Sequence, residues 1–518
     1  MDMIASRRKP LAGWAAAAST AVLLSACAMT PHPFTTEEFA AKGQADRAAM
    51  FAQSEPLTRP LTLADAVARV LHDNLDARAK MMEEAVAMGQ LDLDRFTLLP
   101  NLVAGGGYLG RSDHATVTSR NAVTLQPALS DPYYSLDRDR KVGDLTMSWN
   151  VLDFGVSWYT AHQNADRALI MTERRRKAVA ALTQEVRFAF WRAAAAQKLD
   201  ATVAHSIDTA DGALRDAKEV EAEQLRNPVD ALRYRKTLLD NLSQLEIIQQ
   251  QLGTAKAELA ALINLPPGQD FTLAVPPDSE MTVPPWTLPV EKMEVAAFIN
   301  NPDLREQVYQ TRVAADETHK AFLRLLPGLN LSAGRHADSN TFLMDNYWNE
   351  ASAQLSFNLV NIVSAPDQIH FARTNQKLED ARRLALRMAV LAQVHVSRTQ
   401  YDNAAVQFMR ADQAYDVERK LAAIVTRRQE SDAQSVLDRV SAETSAITAD
   451  LRRYQLFAQA QSALGRMQAT MGVDVVPSDV NSQGVEALGA AIEQRLTALD
   501  HGGDPPVAAP PAQTVAKE

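Results

Sequence analysis

Cysteine is almost absent from this 518-residue chain: Cys27 is the only one, so no disulfide can form within it. This cysteine follows a basic stretch at residues 7–9 and a short apolar run from Leu11 to Leu24. Such a pair of segments is typical of a secretory signal peptide, and the apolar run is too short to span a membrane. We therefore expect residues 1–26 to act as a signal peptide.

The residues around the cysteine indicate what kind of signal this is. The segment Leu24–Cys27 reads Leu-Ser-Ala-Cys and resembles the bacterial lipobox, in which the cysteine is lipidated and becomes the mature N-terminus. Ala28 follows, whereas an aspartate at this position favours retention in the inner membrane. We therefore expect a lipid anchor on Cys27, held in outer-membrane lipid from the periplasmic side. The alternative is an ordinary signal peptide with an incidental cysteine.

Long apolar runs and an excess of basic residues are missing as well. After the signal, no run reaches the roughly 18 apolar residues of a transmembrane helix. If the chain crosses a membrane, it must therefore do so with strands. The formal net charge is −10, which argues against nucleic acid as a partner because nucleic acid requires a basic surface.

Proline and glycine are scarce in two long stretches. Residues 156–226 contain only Gly212 and no proline, and residues 367–471 contain only Gly465. Alanine, leucine, glutamine and arginine dominate both stretches, and all four are good helix formers. A helix from about Val156 to about Glu223 would extend on the order of 100 Å at roughly 1.5 Å per residue.

A leucine seam and two shorter helices complete the helical prediction. Helices are expected at about Leu61–Leu98 and Lys292–Leu326, and each runs into a proline, Pro100 or Pro327. Proline disfavours helix in the preceding residue and so passes the chain to a strand. Leucine recurs every seven residues, as in a coiled coil, at Leu238, Leu245, Leu252 and Leu259.

Alternating apolar and polar residues predict four strands. The alternation is clear in residues 144–153 and 351–359, and weaker, diluted by glycine, in residues 101–111 and 329–336. Each segment is about as long as the 9–11 residues of a tilted membrane strand. The polar faces of the two clear strands are predicted to line a water-filled lumen, with Thr146, Ser148, Asn150, Ser352, Gln354, Ser356 and Asn358.

Two segments recur later in the chain at one constant spacing. Asn74–Arg78 reappears as Asn301–Arg305, and Leu98–Leu102 reappears as Leu325–Leu329, each 227 residues further on. One spacing through two segments indicates duplication of a large unit. Each copy is predicted to contain a helix, two strands joined by a loop, and two long helices joined by a turn.

Four strands raise a hydrogen-bonding problem in a membrane. They cannot close a barrel, and an open sheet edge in hydrocarbon leaves backbone groups unpaired at several kcal/mol each. Several protomers must therefore share one barrel, with eight strands for a dimer and twelve for a trimer. The residues alone do not choose between the two. Tyr108, Tyr347 and Trp348, near strand ends, suit the aromatic girdle of such a barrel.

The duplicated order, the Leu-Pro junctions and the lipobox together resemble the TolC-like outer-membrane efflux family, over roughly Leu61 to Gly472. The resemblance implies a mainly α fold with a membrane β-barrel, in which a homotrimer shares twelve strands and its long antiparallel helices form a periplasmic α-barrel. It implies a periplasmic membrane-fusion adaptor and an inner-membrane pump of the RND, ABC or MFS type as partners. The implied function is the outer-membrane channel of a tripartite efflux or type I secretion system in a Gram-negative bacterium, without a cofactor.

The resemblance also places functional positions at the two helix-hairpin tips, farthest from the outer membrane. The first tip is Leu225–Pro228, where proline suits the first turn of the returning helix. The second is Thr426–Asp432. The adaptor-contact candidates at these tips are Arg226, Asn227, Pro228, Arg427 and Arg428.

Carboxylates near these tips are candidates for a gate. The family's second tip typically reads Val-Gly-x-x-x-x-x-Asp-Val-Leu-Asp-Ala, and here only Val436-Leu437-Asp438 matches closely. Asp438 is the candidate for a carboxylate facing a closed aperture, where three symmetry copies would attract cations. Asp230 is its nearest counterpart in the first repeat. The alternative for both is a solvated carboxylate on a helix face.

Catalysis and metal binding are not expected. Gly105–Gly110 matches a dinucleotide fingerprint, but no phosphate-binding helix follows, and its glycines suit barrel curvature or a bulge. The ten histidines are dispersed without the i, i+4 or cysteine-paired spacing of metal sites. The chain is predicted not to be an enzyme. Two rival hypotheses stay open: a lipid-anchored periplasmic helical scaffold without a pore, and an enzyme that uses the lumen as its active site.

The expected organisation follows from these segments. The extracellular loops are expected at residues 111–141 and 335–350. The domains are the signal peptide (1–26), a lipidated linker (27–60), the first repeat (61–265), an inter-repeat linker (266–289), the second repeat (290–472) and a C-terminal periplasmic tail (473–518) with a disordered end.

Overall fold

A computed structural model describes most of the chain. It covers residues 33–52, 54–118, 120–126, 131, 133–222, 227–266, 268–277, 281–431, 435–475 and 484–500. The predicted lipidation at Cys27 lies outside these residues. The chain divides into two compact units, residues 1–54 and 55–518. In the first unit, helix α1 (Thr36–Phe51) begins at a capping box of Thr35 with Glu38 and buries none of its residues.

The second unit holds nine helices and six strands among its described residues. Their order is α2 (Leu63–Asp73), α3 (Leu75–Thr97), β1 (Asn101–Gly110), β2 (Ala115–Val117), β3 (Tyr133–Leu136), β4 (Asp139–Asn150), α4 (Val151–Ala222), α5 (Pro228–Leu262), α6 (Val290–Asn300), α7 (Pro302–Leu323), β5 (Gly328–Asp338), β6 (Tyr347–Ser356), α8 (Leu359–Glu430), α9 (Val436–Thr470) and α10 (Val485–Asp500).

Equal element lengths confirm the predicted internal duplication. Helices α2 and α6 have 11 residues each, α4 and α8 have 72 each, and α5 and α9 have 35 each. The spacing between equivalent helices falls from 227 residues before the strands to 208 after them. The loops between strands account for this change, because residues 111–138 separate β1 from β4 whereas only residues 339–346 separate β5 from β6.

Both predicted shorter helices are interrupted by an asparagine, which corrects the continuous helices Leu61–Leu98 and Lys292–Leu326. Asn74 and Asn301 have ψ angles of 127° and 124°, outside the helical range, and each side chain accepts hydrogen bonds from two backbone N–H groups of the next helix. Pro302 adds a preorganised first turn after Asn301. The first pair of repeated segments, Asn74–Arg78 and Asn301–Arg305, therefore begins at equivalent helix caps.

The elements of the second unit lie side by side in three tiers, each four elements wide. The sheet has the antiparallel order β1-β4-β5-β6. Next to it the helices pack in the order α3-α4-α7-α8, and beyond them in the order α5-α4-α9-α8. Helices α4 and α8 run through both helical tiers and therefore connect one tier to the other. Each tier is an open row with two edge elements.

The apolar core lies where the two helical tiers meet. It joins α2, α4, α5, α9 and α10 with the inter-repeat linker, whose Leu273 pairs with Leu61 in a parallel bridge. Leu238, Leu245, Leu252 and Leu259 are at most 3% exposed, which confirms the predicted seam. Among the described helices, none is both long enough and apolar enough to cross a membrane.

Within the second half of the chain, the end of α9 packs against the junction between its first two helices. Gly472 has a φ of +70°, and the backbone N–H groups of Gly472 and Val473 donate to Ala469 and Gln468 in a Schellman cap. A Cβ atom at Gly472 would lie 2.2 Å from the carbonyl oxygen of Asn300. Only glycine therefore allows the end of α9 to rest on the junction between α6 and α7.

Substituting this glycine tests the junction. We expect Gly472→Ala to lower the free energy of unfolding by more than about 2 kcal/mol, because alanine is strained at positive φ and its Cβ overlaps backbone. The matched control is Gly253→Ala, within α5, where a Cβ meets nothing within 4 Å. That substitution should stabilise by up to about 1 kcal/mol. Denaturant unfolding followed by helical circular dichroism measures both, and equal effects would contradict the described junction.

Candidate functional site

The strand register brings predicted polar residues onto one face of the sheet. Ser148 pairs with Ser332, which in turn pairs with Ser352, and the Oγ atoms of Ser332 and Ser352 lie 2.7 Å apart. The polar side chains on this face include Asn101, Asp144, Thr146, Ser148, Asn150, Asn330, Ser332, Glu350, Ser352, Gln354 and Ser356. Asn330 and Ser332 were missed by sequence reasoning, and their pairing with β4 and β6 is what identifies them.

The opposite face of the sheet is apolar and uncovered. Met147 of β4 pairs with Leu102 of β1, and Leu355 of β6 lies on the same face. Their side chains are 47%, 67% and 69% exposed, which is far too much for a face packed against another layer. Among the described residues, both faces of this sheet are therefore open.

Two strand details correct the sequence-based expectations. Gly105 lies in a continuous ladder without a bulge, and a Cβ there would overlap the carboxylate of Asp144. Its role is therefore to make room for a polar side chain. Tyr108 and Tyr347 lie on the apolar face, as a girdle requires, but Trp348 lies on the polar face, where its ring stacks on His336 at 5.4 Å.

Strand ends also differ from the prediction. β4 spans Asp139–Asn150 and not residues 144–153, and β6 spans Tyr347–Ser356 and not residues 351–359. Asn150 ends its strand and accepts from the first backbone N–H groups of α4. Asn358 lies beyond its strand and caps α8, so it is corrected from a strand residue to a helix cap. The other two strands lie within two residues of their predicted ends.

The two loops at the far end of the sheet contact each other. The longer loop contains the hairpin of β2 with β3, which sequence reasoning did not predict. The backbone N–H of Asp137 donates to Asn340 at 3.0 Å, and the Thr341 hydroxyl donates to the Asp137 carboxylate at 3.0 Å. Arg140 and Asp338 form an ion pair of 2.9 Å below them. The loops of the two halves are thus held together.

At the first hairpin tip, the predicted helix start is confirmed. Asn227 caps α5 by accepting from the N–H of Val229 at 3.0 Å, and Pro228 occupies the first turn. Asp230 is exposed and lies 3.9 Å from Arg233, a weak surface pair. Arg226 lies outside the described residues.

The second hairpin tip is displaced from its predicted position, Thr426–Asp432. Helix α8 continues to Glu430, so Arg427 and Arg428 lie in its last turn. Arginine and glutamate are good helix formers, and basic side chains are favoured at a helix C-terminus, so this polar segment extends the helix. Both arginines are exposed, and Arg427 donates to the carbonyl of Ala423 at 3.0 Å.

Asp438 takes part in a capping box. Its carboxylate accepts from the hydroxyl of Ser435 at 2.8 Å and from the Ser435 N–H at 3.2 Å, while its own N–H donates to the Ser435 hydroxyl. Asp230 and Asp438 are both the third residue of equivalent 35-residue helices. Asp438 therefore supports its own helix start, and its role at an aperture stays a prediction.

Direct contacts join the two hairpins near their tips. Asn241 of α5 donates to Ser441 of α9 at 3.0 Å, and Ser206 of α4 donates to Glu443 of α9 at 3.4 Å. Next to these hydrogen bonds, Leu238 and Val440 are fully buried in one apolar cluster. The two hairpins of one chain are thus packed against each other at this level.

Closer to the sheet, the contact between α4 and α7, called here the α4–α7 seam, is polar. Burial alone would raise the pKa of Glu317, but hydrogen bonds from Gln163 and Lys320 outweigh it and hold this pKa below its usual value. A lowered carboxylate pKa contributes stability above the unfolded-state pKa, and the contribution is lost as the pH falls through the folded-state value. The seam is therefore expected to weaken in acid.

Taken together, the duplicated helices, the helical tiers and the four-stranded sheet define the fold of the TolC-like outer-membrane channels. Solved structures of such channels are similar to this chain. The Campylobacter jejuni CmeC channel is 11% identical with a TM-score of 0.62, covering 84% of this chain and 89% of CmeC. The Neisseria gonorrhoeae MtrE channel in its open state is 14% identical with a TM-score of 0.60, covering 79% and 88%.

A third similar structure is the outer-membrane protein VceC from Vibrio cholerae, 14% identical with a TM-score of 0.57, covering 79% of this chain and 96% of VceC. No family model matches the chain, and no curated protein matches it. At these identities the similarity establishes the fold, and it confirms the predicted mainly α fold with long antiparallel helices and a small antiparallel sheet.

The capping box gives a prediction for the second tip. Ser435→Ala removes the hydroxyl that caps α9 and should weaken this helix start by about 1 kcal/mol. Asp438→Ala should act in the same direction, whereas Asp230→Ala is the control, because Asn227 caps the equivalent helix. Hydrogen exchange of the first turn of α9 measures the change. Equal protection in Ser435→Ala and the unsubstituted protein would argue against the cap.

Proposed function

We propose that this protein is the outer-membrane channel of a tripartite efflux or type I secretion system. Three copies share a twelve-stranded barrel in the outer membrane and a periplasmic barrel of helices. The observation that carries the proposal is the open four-element row, which recurs in the sheet and in both helical tiers.

The sheet requires further copies and an apolar solvent. Strands β1 and β6 are its two edges, and an edge strand presents unpaired backbone groups that lipid cannot satisfy. If β6 of one copy pairs with β1 of the next, a closed ring removes all edges, and three copies give the even number twelve. The apolar face then meets lipid, and the polar face, with Thr146, Ser148 and Gln354, lines the lumen.

The helical edges support the same assembly. Leu239 on α5 is 43% exposed, and Val417 and Leu421 on α8 are 58% and 52% exposed. Helices α5 and α8 are the two ends of the outermost row. In a ring of copies, α8 of one protomer covers α5 of the next, so that both apolar edges are buried.

The tips are the proposed site of partner contact. They lie at the end of the helices farthest from the sheet, so in the proposed assembly they face the inner-membrane pump and its periplasmic adaptor. Asn227, Pro228, Arg427 and Arg428 are the proposed adaptor contacts, with Arg226, and Asp438 and Asp230 are the proposed aperture carboxylates. The lipid anchor on Cys27 holds the N-terminus at the outer membrane. The pump selects the substrate.

The rival without a pore, a lipid-anchored periplasmic scaffold, does not account for the sheet. Such a scaffold would leave a four-stranded sheet in water with both apolar and polar faces exposed. The rival enzyme needs a catalytic arrangement at the polar face, where hydroxyl and amide side chains predominate. The channel accounts for both faces through one barrel.

Two neighbouring residues of β6 test which face meets lipid. Ala353→Arg should reduce the amount of assembled trimer in the outer membrane, because Ala353 lies on the apolar face, further from the strand end, and arginine on a lipid face costs about 2–4 kcal/mol near the midplane. Gln354→Arg, on the opposite face, should assemble normally. In planar bilayers, purified channels of this variant should be more selective for anions. If both variants assemble equally well, the sheet does not lie in a bilayer.

Photo-crosslinking tests the partner contact. A crosslinking residue at Arg428 in living cells should capture a periplasmic adaptor, whereas one at Arg410, exposed on the same helix about 27 Å away at roughly 1.5 Å per residue, should not. Adaptor capture at both positions would contradict the tip assignment. Capture of a periplasmic scaffold component, with no oligomer, would contradict the channel.

A further inference from the structure

We propose that His162, Asp166 and Asp316 form a binding site for a divalent transition-metal cation such as Zn²⁺ or Co²⁺. His162 and Asp166 lie one turn apart on α4, and Asp316 faces them from α7. One ligand atom from each of the three side chains lies within 4.8 Å of the other two. The proposal goes beyond the channel function and does not depend on it.

The histidine is positioned before any cation arrives. The ring of Trp158 stacks on the His162 ring at 5.6 Å and an interplanar angle of 3°, which fixes the plane of the imidazole. Nδ1 of His162 then lies 2.6 Å from Oδ2 of Asp316. The His162 side chain is 47% exposed, so a cation can reach this edge of the site from solvent.

The carboxylates are buried and oriented. Asp166 is 1% exposed and Asp316 is 8% exposed. The guanidinium of Arg312 donates to both oxygens of Asp166, an outer contact of the kind that orients metal ligands. Each oxygen keeps a second lone pair. With His162 neutral, two carboxylates and one guanidinium leave one net negative charge to attract a cation.

The donor set selects the class of cation. Imidazole suits zinc, cobalt, nickel and copper, whereas carboxylates alone would favour magnesium or calcium. Bonds of about 2.1 Å to a tetrahedral cation place ligand atoms roughly 3.4 Å apart. Nδ1 of His162 and Oδ2 of Asp316 must therefore separate by less than about 1 Å, which small side-chain rotations achieve. Water supplies the fourth ligand, and the bound cation links α4 to α7.

Sequence inspection overlooked this site because it sought a second histidine or a cysteine near each histidine. The i, i+4 partner of His162 is an aspartate, and the third ligand lies 150 residues beyond it.

The test uses the full-length protein in detergent, without a histidine tag and freed of metal with a chelator. Titration with CoCl₂, followed by visible absorption, and with ZnCl₂, followed by calorimetry, should show one cation per protomer. His162→Gln and Asp316→Asn should each weaken binding by at least about 10-fold. The matched control is His319→Gln, because His319 lies one turn from Asp316 but stacks on Tyr159 instead. It should bind as the unsubstituted protein does, and Mg²⁺ should bind to none of them.

Several results would overturn the proposal. The site is absent if the unsubstituted protein binds no Co²⁺ or Zn²⁺, because His162 and Asp316 then form a hydrogen bond only. Undiminished binding by either substituted protein would place the cation elsewhere. Equal losses in His319→Gln and His162→Gln would indicate non-specific surface binding. Circular dichroism and elution volume establish that each variant is folded, and the two separate variants keep the test informative if one fails to fold.

Discussion

The need to pair every backbone hydrogen-bonding group of the sheet governs the architecture of this protein. One chain supplies four strands, and the edges β1 and β6 leave a row of N–H and C=O groups unpaired. In water such edges invite aggregation, and in lipid they are prohibitive. The helices repeat this incomplete geometry, since each tier is also a row of four with apolar side chains at its ends. In the proposed ring of copies all three tiers close at once, which would explain why they share one width.

Duplication is the means by which one chain spans three tiers. Each half contributes two strands, one helix that runs through both helical tiers, and shorter helices that stack beside it. The halves are joined at mid-length by a buried ion cluster, in which Glu173 accepts from Arg305 at 2.6 Å and pairs with Arg176. Arg176 also donates to the carbonyl of Gly472 at 3.2 Å. Removing one member would leave a buried charge unpaired, a large cost compared with that of an exposed pair.

The seam between α4 and α7 has a different character. Coiled-coil contacts at α5 are leucines, whereas α4 and α7 meet through His162, Asp166, Arg312, Asp316 and Glu317. A polar seam is sensitive to pH and cations in a way that a leucine seam is not, because each charge must be balanced where water is scarce.

The sequence by itself determined the duplication, the long helices, the leucine seam and the two faces of β4 and β6. Each of these features follows from a local period or a constant spacing. Such patterns can be recognised without knowing which residues they contact in the folded chain. The breaks at Asn74 and Asn301, the extension of α8 through Arg428 and the capping role of Asp438 required the backbone, because short polar residues serve equally in caps, turns and tips. The partners of Ser332 and the meeting of His162 with Asp316 were decided only by the tertiary structure, since strand register and helix packing bring together residues far apart in the chain.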